Sequence, residues 1–151
     1  MTLTPISAVQ AQFVVTAELS VQTGGEGFID ITQRAARFLA DAKAADGALF
    51  LFLRHTSASL VIQENADPDV QRDLVTALRR LAPENAGWVH DTEGPDDMPA
   101  HVKAMLSGIS LHVPVAGGTM LLGTWQGLYL VEHRAKPHQR KIVLQFLGSV
   151  R

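Results

Sequence analysis

Hydrophobic and polar positions along the chain alternate between two periods. Gln10 to Val21 alternates in part and predicts a first strand, and Thr23-Gly24-Gly25-Glu26-Gly27 is a turn signal. Phe28, Ile31, Ala35, Phe38, Leu39 and Ala42 then recur at helical spacing, which predicts an amphipathic helix over 28–45, closed by Asp46-Gly47. Ala48 to Arg54 is a short apolar run that ends on a charge, the pattern of a buried strand, and Leu60, Val61 and Ile62 continue as its neighbour. Asp67-Pro68 reads as an N-cap with proline at the first helical position. Val70, Leu74, Ala77, Leu78 and Leu81 supply that helix with a buried stripe, and Pro83 follows its end. Residues 84–97 are polar and form a loop; Pro99 starts a short third helix that Ser107-Gly108 stops. Strand patterns follow: Leu111, Val113 and Val115, a turn at Ala116-Gly117-Gly118, a long strand over 119–132 interrupted by Gly123 and Gly127, and a last strand from Lys141 to Leu147. The order predicts an α+β fold with a largely antiparallel sheet and about three helices.

The 151 residues fit a single domain, 1–151, and 46% hydrophobic with 19% charged residues describe a globular chain. A chain of this size buries roughly 70% of its unfolded surface, so it needs no staple. The lack of cysteine excludes disulfides, thiolate metal sites and a cysteine nucleophile, and suits a reducing, cytoplasmic setting. Met1 to Gln12 lacks the charge and apolar run of a signal peptide, and no apolar run approaches membrane-spanning length, so no membrane partner is expected. A net charge of −2 argues against nucleic acid. Arg134, Lys136, Arg140 and Lys141 form a local basic cluster instead, which fits a small anionic ligand.

Three polar stretches could carry chemistry. His55-Thr56-Ser57-Ala58-Ser59, then Glu64-Asn65-Ala66-Asp67-Pro68, offers hydroxyl donors beside a histidine; the bland alternative is a self-satisfied turn, with Asp67 a cap. His90-Asp91-Thr92-Glu93-Gly94-Pro95-Asp96-Asp97-Met98-Pro99-Ala100-His101 places four carboxylates in seven residues, which a hard cation such as magnesium would relieve; the alternative is an exposed acidic loop in which Asp96 or Asp97 caps the third helix. His101, in the first turn of that helix, is expected to be neutral and so fit for a metal or a general base. Gly123-Thr124-Trp125-Gln126-Gly127, running on to Glu132-His133-Arg134, suggests a bulge and a close approach. Trp125 reads as core or subunit interface. Alternation sends Glu132 and His133 to opposite faces, so they do not form a relay pair. Arg134 and Arg140 bracket a loop that could grip a phosphate or simply be a solvated tip. His112 and His138 read as structural or surface residues, and His90 stays undecided. Two histidines at i, i+4, G-x-G-x-x-G and the P-loop are all missing.

These stretches together resemble the YjbQ-like family. The resemblance runs through His55 to Leu60, Glu64-Asn65, Asp67-Pro68, His90-Asp91, Asp97 to His101, Ser110-Leu111, Pro114-Val115, Gly118, Leu122 to Gly127 and Glu132-His133-Arg134, and spans about residues 13–149. His112 departs from the apolar or hydroxyl residue expected there. The resemblance implies a twisted β-sandwich-like core, a homotrimer, and a polar cleft of signature histidines with a bound metal or anion in some members. It also implies a secondary thiamine-phosphate synthase activity, joining hydroxymethylpyrimidine diphosphate to thiazole phosphate with release of pyrophosphate. On that reading His55, His101 and His133 are the metal or acid/base residues, with magnesium or zinc as the metal. Thr56, Ser57, Ser59, Asn65, Thr124, Gln126, Arg134 and Arg140 hold a small phosphorylated substrate. Two rivals use the same residues: a metal-dependent hydrolase of a phosphorylated or amide substrate with Glu64 as base, and a non-catalytic phosphate- or metabolite-binding protein.

Overall fold

The computed structural model describes Ile6 and residues 8–151, so the leader-peptide reading of Met1 to Gln12 falls partly outside the described residues. Among the described residues, eight strands and three helices follow one another: β1 (Phe13–Gln22), β2 (Gly27–Asp30), α1 (Thr32–Asp41), β3 (Ala44–Leu53), β4 (Ala58–Glu64), α2 (Pro68–Leu81), α3 (Asp97–Ser107), β5 (Ser110–Ala116), β6 (Thr119–Met120), β7 (Gln126–Glu132) and β8 (Gln139–Val150). They form a five-stranded sheet, β1-β8-β3-β5-β6, and a three-stranded sheet, β2-β7-β4, with antiparallel pairing in both. This is an α+β fold.

Alternation explains the layers. Along β8, Ile142, Leu144 and Phe146 point inward while Lys141 and Leu147 face out. With Leu49, Leu51 and Leu53 of β3 they meet Ala58, Leu60, Leu128 and Leu130 of the smaller sheet, and Ala35 and Leu39 of α1 join the same cluster. Each such aliphatic side chain contributes about 1.5–3 kcal/mol by leaving water.

Several boundaries differ from the sequence reading. The helix expected over 28–45 is a strand, a shorter helix and the start of another strand. Phe28 and Ile29 pair with Val131 and Leu130, a tertiary contact that helical spacing cannot reveal. α1 begins after the Asp30 carboxylate accepts the Thr32 amide N–H at 2.7 Å, and Lys43, at φ 53°, turns the chain into β3. Asp46-Gly47 is thus an irregularity inside β3, at the register shift against β8. The long strand expected over 119–132 divides between the two sheets, and residues 121–125 cross from one to the other. Asp67 does cap α2, accepting the Asp69 amide at 2.9 Å. Its stripe, however, is not buried: Val70, Leu74 and Leu78 are half-buried, and Ala77 and Leu81 are exposed. α3 starts at Asp97, two residues before Pro99.

Candidate functional site

The Glu132-His133-Arg134 end of β7 organises the polar interior. Glu132 is fully buried and accepts hydrogen bonds from Arg140 Nε (2.7 Å) and Nη2 (2.5 Å), Thr23 Oγ1 (2.9 Å) and the Arg134 amide (3.0 Å). Burial alone would raise its pKa, but Arg140 and the other donors hold it below the ordinary carboxylate value. His133 turns elsewhere: its Nε2 lies 2.7 Å from Ser59 Oγ, in the interior. Arg134 donates from Nε to Asp96 Oδ2 (3.0 Å), from Nη1 to Asp97 Oδ1, and from Nη2 to the Glu93 carbonyl (2.8 Å). It thereby clamps the amino end of α3 to β7. Desolvation opposes its charge, but Asp96, Asp97 and Glu93 raise its pKa beyond the ordinary value. Asp96 occupies the N-cap position of α3 without capping it, because its Oδ2 also accepts the Ala135 amide at 2.8 Å.

The clamp leaves the other oxygen of Asp97 unusual. Asp97 is 2% exposed, and its Oδ2 is buried without a hydrogen-bond partner. His90 Nε2 lies 2.8 Å from that oxygen and His101 Nε2 3.6 Å from it. His101 Nδ1 donates to the Thr56 carbonyl at 3.0 Å. Donation from Nδ1 leaves the Nε2 lone pair of a neutral imidazole facing a carboxylate oxygen, an arrangement a cation between them would reconcile. The ligand atoms of His90, Asp97 and His101 lie within 4.8 Å of one another, the only such group of three among the described residues. Two imidazole nitrogens and a carboxylate suit zinc or a similar ion better than magnesium. The donor set thus fits a divalent metal.

This is not the metal triad expected from the sequence. His55, His101 and His133 do not converge, because each is committed elsewhere. His55 Nε2 accepts the Lys141 amide at 2.9 Å, His133 pairs with Ser59, and only His101 belongs to the group whose geometry could hold a metal. Desolvation, then Arg140, lowers the His55 pKa. The hydroxyl run likewise separates. Thr56 is exposed, Ser57 Oγ accepts from Arg140 at 3.1 Å, and Ser59 is buried on His133. Arg134 and Arg140 are buried on carboxylates, so neither is a free phosphate grip.

Glu64, Asn65, Thr124 and Gln126 form a second cluster. Asn65 Nδ2 donates to the Thr124 and Gln126 carbonyls at 3.3 Å, and the Gln126 side-chain oxygen accepts the Gly123 amide at 2.8 Å. Glu64 pairs with Gln126 at one end of the β4–β7 ladder while Ala58 pairs with Glu132 at the other. Six residues of strand make that separation about 20 Å, which removes Glu64 as a base acting beside His133. Trp125 is 64% exposed on the same shallow cleft and is not core. His112 is exposed and packs edge-on against Phe50. His138 Nδ1 lies 2.8 Å from the Lys136 carbonyl.

Sequence reading missed Asp97 and His90 as partners of His101. Starting α3 at Pro99 put His101 in the first turn and hid the i, i+4 pair Asp97–His101, which places a carboxylate and an imidazole on one helix face.

The family described as UPF0047 protein YjbQ-like matches residues 17–149. The chain belongs to the UPF0047 family. UPF0047 protein sll1880 of Synechocystis is 43% identical over 133 residues, 87% of this chain and 90% of the relative. UPF0047 protein YjbQ of Escherichia coli O157:H7 is 41% identical over 132 residues, 87% of this chain and 96% of the relative. Among solved structures, a YjbQ/UPF0047 family protein of Clostridium acetobutylicum is 37% identical with a TM-score of 0.81, covering 86% of this chain and 98% of its own. The hypothetical protein APE1520 of Aeropyrum pernix is 29% identical with a TM-score of 0.82, covering 89% and 99%. The UPF0047 fold thus accounts for both sheets and all three helices. No helix among the described residues is long and apolar enough to cross a membrane.

Proposed function

We propose that this UPF0047 protein is a divalent-metal-dependent enzyme acting on a small phosphorylated substrate, with His90, Asp97 and His101 as metal ligands. The observation that carries the reading is the buried Asp97 Oδ2, which lacks a donor and faces two imidazole nitrogens. A divalent cation bound there supplies positive charge for an anionic leaving group. The chain's own residues prepare the place. Arg134 acts as a positioning residue by holding Asp97 through its other oxygen, and the Thr56 carbonyl selects the His101 tautomer.

Of reactions in this class, the synthase implied by the resemblance suits a leaving-group site. Its C–O bond breaks with the electron pair passing to diphosphate, and the thiazole nitrogen lone pair forms the new N–C bond, so no general base is required. The hydrolase reading needs a base, and its candidate Glu64 ends β4, at the opposite end of the β4–β7 ladder from Glu132. We also propose a cytoplasmic homotrimer, supported by the cysteine-free composition and by apolar side chains left on the outer face of the larger sheet.

The test is elemental analysis of purified protein beside Asp97→Asn and His101→Ala, followed by incubation with both phosphorylated precursors. Near-stoichiometric divalent metal in the parent, reduced at least tenfold in both variants, together with metal-dependent release of pyrophosphate, is expected. Phosphate release from a single organic substrate would favour the hydrolase, and binding without turnover the metabolite-binding protein.

A further inference from the structure

A second polar cleft lies behind α3, on the face opposite Asp97 and His101. It encloses about 450 Å³, and its lining includes Glu26, Arg79, Asn85, Asp96, Lys103 and His133. Lys103 is 4% exposed, and its Nζ lies 2.5 Å from Glu26 Oε1. Arg79 Nε lies 2.6 Å from the other oxygen of the same carboxylate. Two cations thus share one monoanion. A buried ammonium requires a counter-charge, so something anionic must stand where Glu26 stands.

Glu26 can leave. It sits in the turn Thr23-Gly24-Gly25-Glu26-Gly27, between β1 and β2. Gly25, at φ 136°, passes so close to the Ala135 carbonyl that a Cβ would meet it at 2.8 Å. That contact holds the turn in place, so the Glu26 side chain alone would move to admit another anion. His133, on the cleft wall, has a buried Nδ1 with no hydrogen-bond partner. Of the other carboxylates lining the cleft, Asp96 is neutralised by Arg134, and Glu84 is exposed.

We propose that this cleft holds a phosphoryl group of the substrate on Lys103, Arg79 and His133, in the position that the Glu26 carboxylate occupies. A phosphate monoester carries close to two negative charges at neutral pH, which matches two cations better than one carboxylate does. The proposal rests on the phosphorylated-substrate reading above and names where that substrate is gripped. α3 would then carry the metal ligands on one face and the phosphate-binding lysine on the other.

The experiment is calorimetric titration of chelator-treated protein with inorganic phosphate, phenyl phosphate and acetate, at fixed pH and ionic strength. Both phosphates are expected to bind and acetate to bind at least tenfold more weakly. Lys103→Met should weaken phosphate binding more than tenfold. If that variant fails to fold, Glu26→Gln decides the matter: freeing both cations should tighten phosphate binding about tenfold and enlarge the rise in Tm that phosphate produces. His101→Ala should bind phosphate as the parent does. Equal affinity in Glu26→Gln and the parent, binding of inorganic phosphate without phenyl phosphate, or loss of binding in His101→Ala would each overturn the proposal. The metal reading fails separately: a protein that binds no metal yet passes every phosphate arm loses the metal centre and keeps this cleft.

Discussion

His133 is 2% exposed, and burial, followed by the nearby Lys103 charge, lowers its pKa from 6.5 to about 4. The folded chain therefore refuses a proton that the unfolded chain accepts between these values. Stability is fully present above pH 6.5 and declines as pH falls toward 4, by at most about 3 kcal/mol from this group. Denaturant titrations at pH 7.5 and 4.5 should show the loss. His133→Gln, which keeps a polar atom for Ser59, should be less stable than the parent at pH 7.5 but lose less between the two pH values. An equal loss in both proteins would remove His133 as the origin. Glu132 acts in the same direction but lower, since a depressed carboxylate withdraws its stabilisation only as pH drops below the ordinary carboxylate range. Which residues were polar and clustered was legible in the sequence, down to the alternation that separates Glu132 from His133. Which of them face one another was not. Arg134 meets Asp96 across 38 positions and Arg140 meets His55 across 85, and local pattern carries no information about such pairings.

Strand and helix boundaries show the same division. Where alternation and burial agree, as in β5 and β8, the strands were legible. Where an apolar run pairs with a distant strand, as Phe28–Ile29 does with β7, helical spacing misled, because three apolar positions in four residues satisfy either period. The β3–β8 crossing depends on a feature the sequence showed only as two glycines. Gly47 and Gly148 are register partners, and a Cβ on Gly148 would lie 2.9 Å from Gly47 Cα and meet the Asp46 carbonyl. The β3 backbone on one side and the fully buried Phe146 ring, 2.6 Å away, leave little room to yield. Gly148→Ala should therefore cost about 1–3 kcal/mol, as overpacking does, read as a lower denaturant midpoint with an unchanged slope. An unchanged midpoint would mean that the two strands separate freely.

At the scale of the whole molecule, the larger sheet has an inner face against the core and an outer face with little cover. Val14, Phe52 and Leu147 are each more than 40% exposed there, in registers that place them on adjoining strands. A second and third copy of the chain would cover this apolar surface in the proposed trimer. Phe52→Glu should then shift the mass measured by light scattering from trimer to monomer, whereas a parent protein already monomeric at micromolar concentration would defeat the proposal.

α2 stands apart from this framework. Not one of its fourteen residues is buried, and its Arg79 reaches Glu26 on the glycine-rich turn. A helix held so lightly opens at a small fraction of the global unfolding free energy, so its amide protons exchange with solvent while both sheets remain closed. Arg79 of this helix stands at the rim of the cleft, so an anion bridging Lys103 to Arg79 would tie α2 to α3 and slow that exchange.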